Sequence, residues 1–145
     1  MSIKEIITEP NSILRSKSNP LEKVDNNLRK LMDDMLETMY KAPGIGLAAV
    51  QIGVLKRIIV IDISKEDKKK NPLFLINPKI TFQSKNSSIY EEGCLSIPGY
   101  FAEIERPAES AINYIDYYGK EKNLKAEGLL STCIQHELDH LDGVL

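Results

Sequence analysis

The chain holds two histidines, and both fall in one short string, Gln135-His136-Glu137-Leu138-Asp139-His140. That H-E-x-x-H spacing constrains the fold more than any other feature. On an α-helix, residues four apart share one face, about one turn of 5.4 Å apart along the axis. Two imidazoles so placed can reach one metal ion from the same side. Glu137 lies about 100° around the helix from His136, where a carboxylate can meet a metal-held water without being a ligand. The plain alternative is a polar stretch of surface helix with no metal.

A catalytic zinc-type site uses three protein ligands and leaves one position for water. Only Leu141-Asp142-Gly143-Val144-Leu145 follow the second histidine, so the third ligand has to come from upstream, where no histidine remains. Two cysteines are available. Cys133 shares the helical face but lies seven residues before His140, about 10 Å along the axis, an awkward position for a third ligand. Small apolar packing under the site is its simpler role. Cys94 sits in the turn-rich stretch Glu91-Glu92-Gly93-Cys94-Leu95-Ser96-Ile97-Pro98-Gly99, and the count of missing ligands points to it. From chemistry alone this is a mononuclear metal hydrolase. Cys94, His136 and His140 hold the ion, which lowers the pKa of a water, and Glu137 is general base and then general acid. Ligands of these types bind deprotonated, so metal affinity is expected to fall on acidification.

Three segments, in order, are Gly44-Ile45-Gly46-Leu47-Ala48-Ala49-Val50-Gln51, Glu92-Gly93-Cys94-Leu95-Ser96 and the histidine string. Together they closely resemble the bacterial peptide deformylases. Pro10-Asn11-Ser12-Ile13-Leu14-Arg15 resembles that family's N-terminal segment, and Glu105-Arg106-Pro107 with Asp116-Tyr117-Tyr118-Gly119 its central sheet. The likeness spans nearly the whole chain. Val50 departs from the proline many members carry, a small difference at a variable position.

The resemblance implies removal of the formyl group from the N-terminal formylmethionine of newly made polypeptides. It implies the Gln51 side-chain amide and the Leu95 backbone N–H as donors to the oxyanion. Without it, Gln51 would read as a solvated strand-edge residue. It implies that backbone at Ile45 and Gly46 pairs with the substrate chain, and that Leu129 and Cys133 line the methionine pocket. Glu92 and Arg106 resemble a supporting ion pair, and Asp139 either a residue behind the ligands or a plain exposed helix position. One divalent ion per chain is expected, Fe(2+) in the cell, with Zn, Ni or Co able to replace it. N-formylmethionyl nascent peptides are the expected partners, with a transient ribosome contact. Members commonly continue past the motif helix. Residues 1–145 therefore read as one catalytic domain without the usual C-terminal extension. Two other readings are a formyl-peptide-binding module with weak or no turnover and a general metallopeptidase.

The remaining bounds agree. A length of 145 residues suits one domain, and 42% hydrophobic with 28% charged residues is ordinary for a globular protein. A net charge of −2 argues against nucleic-acid binding. No apolar run is long enough for a membrane span, and two cysteines make no disulfide framework, which fits a reducing cytoplasm; a monomer is expected. Gly44-Ile45-Gly46 lacks the spacing of a phosphate loop.

Leu28, Leu31, Met32, Met35, Leu36 and Met39 predict an amphipathic helix over about 24–41, stopped by Pro43-Gly44, with its methionines as core filling. Arg57–Ile63 predicts a buried strand. Lys65–Asn71 reads as a solvated loop. Strand-like runs follow near 73–76, 79–83, 100–105, 111–117 and 122–126, and the last helix starts near Gly128. The fold class is α+β, with antiparallel sheets packed around a central C-terminal helix that carries the metal motif, after an earlier amphipathic helix.

Overall fold

A computed structural model of the chain describes residues 4–8, 12–42, 44–64, 70–94 and 96–144, with backbone alone at 91, 94 and 97–102. The first helix, α1 (Asn26–Lys41), starts two residues later than the periodicity suggests. Asp25 decides the start: its side chain accepts from the Leu28 N–H at 2.9 Å, satisfying one of the helix's open donors. The apolar stripe then buries Met32, Met35 and Met39 completely, as the core-filling reading expects. At the other end Ala42 is the cap and the Gly44 N–H returns to the Met39 carbonyl at 2.7 Å. Pro43 lies outside the described residues, as does most of the lysine-rich loop.

Five strands form one antiparallel sheet: β1 (Gly46–Ala48), β2 (Ile58–Ile61), β3 (Leu73–Gln83), β6 (Glu109–Ile115) and β7 (Glu121–Glu127), in the order β1-β2-β3-β6-β7. Strand side chains alternate between faces, and here both faces are covered. Ile58 and Val60 pack with Leu28 and the methionines of α1. Ile59 and Ile61 pack with Ile134, Leu138 and Leu141 of α2 (Gly128–Leu141). This two-sided burial explains why β2 is apolar at every position. Truncating one such side chain to alanine costs about 2–5 kcal/mol.

β3 joins two runs that the sequence separates. Asn77, at φ 50°, precedes Pro78, and the pairing with β6 shifts register between Ile76 and Lys79. Proline has no N–H for the ladder, so the strand bulges there and resumes. The Asn77 side chain holds the bulge to both the N–H and the carbonyl of Leu21, at 2.8 and 2.7 Å.

A second sheet is the hairpin β4 (Ser87–Cys94) with β5 (Ile97–Pro107). β5 runs longer than the stretch 100–105 predicts, and β4 is missed altogether. β1 is also missed, no strand being expected over 46–48. Both strands exist because partners supply their pairing, Val60 opposite Leu47 and Arg106 opposite Ser88.

The C-terminal end of α2 is tied down from a distance. The Leu141 carbonyl accepts from Ser18 N–H at 2.7 Å, and Arg57 bonds Asp142 at 3.0 Å. Gly143 stands at φ 81°, where an added Cβ would overlap the Arg15 carbonyl. Gly143→Ala is therefore expected to lower stability by about 1–3 kcal/mol in urea unfolding, and an unchanged midpoint would contradict this packing.

Candidate active site

α2 places His136 and His140 on one face, and the rings meet edge to face with centroids 4.6 Å apart. Their Nε2 atoms face each other at 3.0 Å. The outer nitrogen of His136, Nδ1, lies 2.8 Å from Glu92 Oε1 in β4. With a carboxylate as acceptor, Nδ1 carries a proton, and in the neutral ring Nε2 then keeps its lone pair. Glu92 in turn accepts from Arg106 Nε at 2.8 Å and from Arg106 Nη2 at 3.0 Å. Arg106 Nη1 also reaches Asp139 Oδ2 at 2.8 Å.

The network crosses three elements, β4, β5 and α2, and leaves its inner carboxylate balanced by a fork of donors. Burial would push the Arg106 guanidinium toward losing its charge, but the bonds to Glu92 and Asp139 outweigh it and hold the group higher than usual. Both readings of Asp139 have substance: its side chain is 42% exposed, yet it is paired. An exposed pair of this kind contributes about 0–1 kcal/mol.

His140 is almost fully buried. Burial, then the neighbouring His136, push its pKa down to about 3, with a backbone hydrogen bond at Val144 acting the other way and Arg106 adding to the fall. It is a neutral imidazole at any ordinary pH. A 3.0 Å approach of the two Nε2 atoms is held either by one proton along the contact or by a cation between them. Around a tetrahedral ion with nitrogen about 2.05 Å away, two such atoms stand about 3.3 Å apart, so small ring movements suffice. His136, Glu137 and His140 offer ligand atoms within 4.8 Å of one another. The donor set fits a divalent metal.

Glu137 is buried, and its Oε2 has no hydrogen-bond partner among the described residues. Burial drives its pKa up to about 7, opposed by His136, with Glu92 raising it further and Arg106 lowering it. One wall beside it is Gly46. A Cβ there would stand 3.0 Å from Cys133 Sγ and 3.2 Å from Glu137 Cγ. The edge strand can lie this close because the residue is glycine.

Cys133 is buried within the core cluster beside Ile134 and Leu138, as the packing reading expects. Burial, then the charges of Glu137 and Glu92, hold it as a neutral thiol. Gln51 lies in a single 3-10 turn, Ala49–Ile52, directly after β1. It is buried, so the solvated-edge alternative fails. Its Oε1 accepts from Ala48 N–H at 2.9 Å, and its Nε2 donates to Ser96 Oγ at 3.2 Å. Ser96 is a partner that sequence reasoning missed, though it closes the quoted Glu92–Ser96 motif. The structure thus brings together His136, His140, Glu137, Glu92, Gly46 and Cys133, with Gln51 held against Ser96 in the turn after β1. Ile45 and Leu129 are 44% and 41% exposed, in the segments just before Gly46 and before Cys133. Leu95 and the side chain of Cys94 lie outside the described residues. The Cys94 backbone ends β4, paired with Ile97.

An α+β fold with a histidine pair and a buried glutamate on its last helix defines a metallohydrolase. The comparisons narrow the class. The model of the polypeptide deformylase family matches residues 3–145. The peptide deformylase of Pelagibacter ubique is 62% identical over the whole chain, which spans 84% of that protein, and that of Rhizobium meliloti is 59% identical, with 83% spanned. The crystal structure of the Ehrlichia chaffeensis peptide deformylase in complex with actinonin superposes with a TM-score of 0.95 at 48% identity, covering 100% of this chain and 87% of that one. The Thermotoga maritima enzyme gives 0.94 at 37% identity, covering 100% and 95%. The chain belongs to the polypeptide deformylase family, hydrolases that remove N-formyl groups.

Two substitutions test the geometry. Gly46→Ala should lower kcat by about tenfold to a hundredfold by displacing Glu137, read in a steady-state assay on a formyl peptide. Glu92→Gln should weaken metal binding by about 10- to 100-fold in chelator competition, because His136 loses the carboxylate that orients it.

Proposed function

We propose that this chain deformylates N-formylmethionyl nascent polypeptides with one divalent ion held by Cys94, His136 and His140. The observation that carries the reading is the facing pair of imidazole Nε2 atoms, with His136 oriented by Glu92 and a buried carboxylate beside them. Cys94 as third ligand is supported by its strand. β4 also carries Glu92, which reaches His136, so the strand runs past the ligands. When bound, the metal acts as a Lewis acid and lowers the pKa of a water toward neutrality.

Glu137 takes the proton of the attacking water and delivers it to the departing amine nitrogen. Its buried Oε2 supports that role, since no donor among the described residues competes for it. The developing oxyanion on the formyl oxygen takes hydrogen bonds from the Gln51 Nε2 amide and the Leu95 N–H. The Gln51 bond to Ser96 supports this, because it holds the amide against the segment that contains Leu95.

The peptide part of the substrate adds along Ile45 and Gly46. β1 is an edge strand of the five-stranded sheet, the kind of backbone that accepts another strand. Leu129 and Cys133 border the methionine side chain. Iron(II) is the proposed cellular metal, the cytoplasm the proposed compartment, and a monomer with transient ribosome contact the proposed working form of a single catalytic domain. Among the described residues no helix is long and apolar enough to cross a membrane. The Ehrlichia chaffeensis and Synechococcus elongatus enzymes each form complexes with actinonin, and the same compound is expected to inhibit this chain.

The deciding experiment is an anaerobic assay of the iron(II)-loaded protein on a formyl-methionyl peptide, with Glu137→Ala alongside. The variant should retain one metal per chain and lose turnover by about 10²- to 10⁴-fold. Loss of metal in the variant would sink the non-ligand role of Glu137. Stripping the parent with chelator should abolish activity, and iron(II) should restore it.

A further inference from the structure

Tyr40 and Asp62 lie outside every motif discussed so far. Tyr40 ends the buried stripe of α1, and its ring is partly buried against the methionine cluster. A phenylalanine would fill that space equally well, so packing leaves the hydroxyl unexplained. The hydroxyl donates to Asp62 Oδ2. Asp62, one residue beyond β2, is 4% exposed. Its Oδ1 also accepts from Ser64 N–H at 2.8 Å, and its Oδ2 from Asn71 N–H at 3.1 Å. Burial alone would favour the protonated acid, but these bonds outweigh it and hold the carboxylate below its usual range. Burial and the Asp62 charge hold Tyr40 well above its own. The hydroxyl is therefore the donor throughout the working pH range. Lys70 Nζ lies 4.2 Å from the centre of the same ring, a further tie to the segment after Asp62.

The backbone of Asp62 faces the site. Its N–H donates to the Ile45 carbonyl at 2.9 Å, the rung next to the Gly46–Ile61 pair. On the other side, Gly44 N–H is bonded to the Met39 carbonyl, one residue before Tyr40. A closed ring results: Tyr40 to the Asp62 side chain, the Asp62 backbone to Ile45, and Gly44 back to the helix. It ties down the backbone on both sides of Ile45, next to the Gly46–Ile61 rung.

We propose that Tyr40 and Asp62 are positioning residues, a latch that fixes the Ile45–Gly46 edge in the geometry that receives the peptide chain of the substrate. This rests on the edge-pairing reading above. The latch touches neither substrate nor reacting atoms. Its effect should appear in binding of the peptide backbone, and only with substrates long enough to lie along the edge.

The test compares formyl-Met-Ala-Ser with formyl-methioninamide, using the metal-loaded parent, Tyr40→Phe and Asp62→Asn. In Tyr40→Phe, KM for the tripeptide should rise about fivefold with kcat within about twofold, while the amide is hydrolysed as by the parent. Asp62→Asn, which keeps an acceptor oxygen, should fall between the two. Parallel loss on both substrates, or an unchanged tripeptide KM, overturns the latch. A parent that does not distinguish the substrates overturns the edge-pairing reading, and the latch with it. Should Tyr40→Phe fail to fold, amide exchange in the parent decides: protection of the Asp62 N–H supports the latch, and exchange as fast as an open loop overturns it.

Discussion

Burying a helix that bears two histidines and a glutamate costs desolvation energy that other elements must offset. The bond between Glu92 and His136 is the one on which the rest of this molecule depends. It sets which nitrogen of His136 is protonated, and so which one faces His140. A carboxylate in that position costs desolvation energy, and Arg106 offsets it with two parallel hydrogen bonds. The hairpin of β4 and β5 exists to bring both residues to one side of α2. Remove the pair and the helix retains its stripe of apolar residues but loses the bond that orients His136.

The opposite side of α2 is built on shape. The sheet supplies Ile59, Ile61, Leu75 and Ile112 as a continuous apolar floor, and the helix lays Ile134, Leu138 and Leu141 onto it. Glycine at the sheet edge lets backbone approach where any side chain would collide with Glu137 and Cys133. Desolvation follows from that closeness, and it shapes the chemistry. Glu137 is held near neutrality in its proton affinity and His140 is kept uncharged. The same burial therefore acts in opposite directions on the two groups, pushing the carboxyl up and the imidazole down.

Much of this was legible in the chain. The methionine stripe identified α1 because its period matches a helix, and β2 was legible because burial on both faces leaves no polar position. The histidine string announced its own helix. What was not legible has a common physical cause. β4 is acidic and contains glycine, β1 is three residues long, and both are strands only through the partners they meet. The start of α1 turned on a single capping bond from Asp25, and the break in β3 on Pro78, whose missing donor produced a bulge instead of an end. Ser96 and Tyr40 carry no local signal at all, since a serine beside a motif and a tyrosine on an apolar stripe are ordinary.

By itself the sequence determined the class of chemistry, the helix that carries it and the family to which the chain belongs. Spacing along one helix is a local property, and a helix of any protein would place His136, Glu137 and His140 on neighbouring faces. Tertiary structure decided everything that depends on distance across the chain. Glu92 answers His136 from 44 residues away, Gln51 meets Ser96 from 45, and Gly46 stands against Glu137 across the sheet edge. Such contacts are set by register, by the two-sided burial of β2 and by how closely backbones can approach. None of these is written in any local stretch of residues.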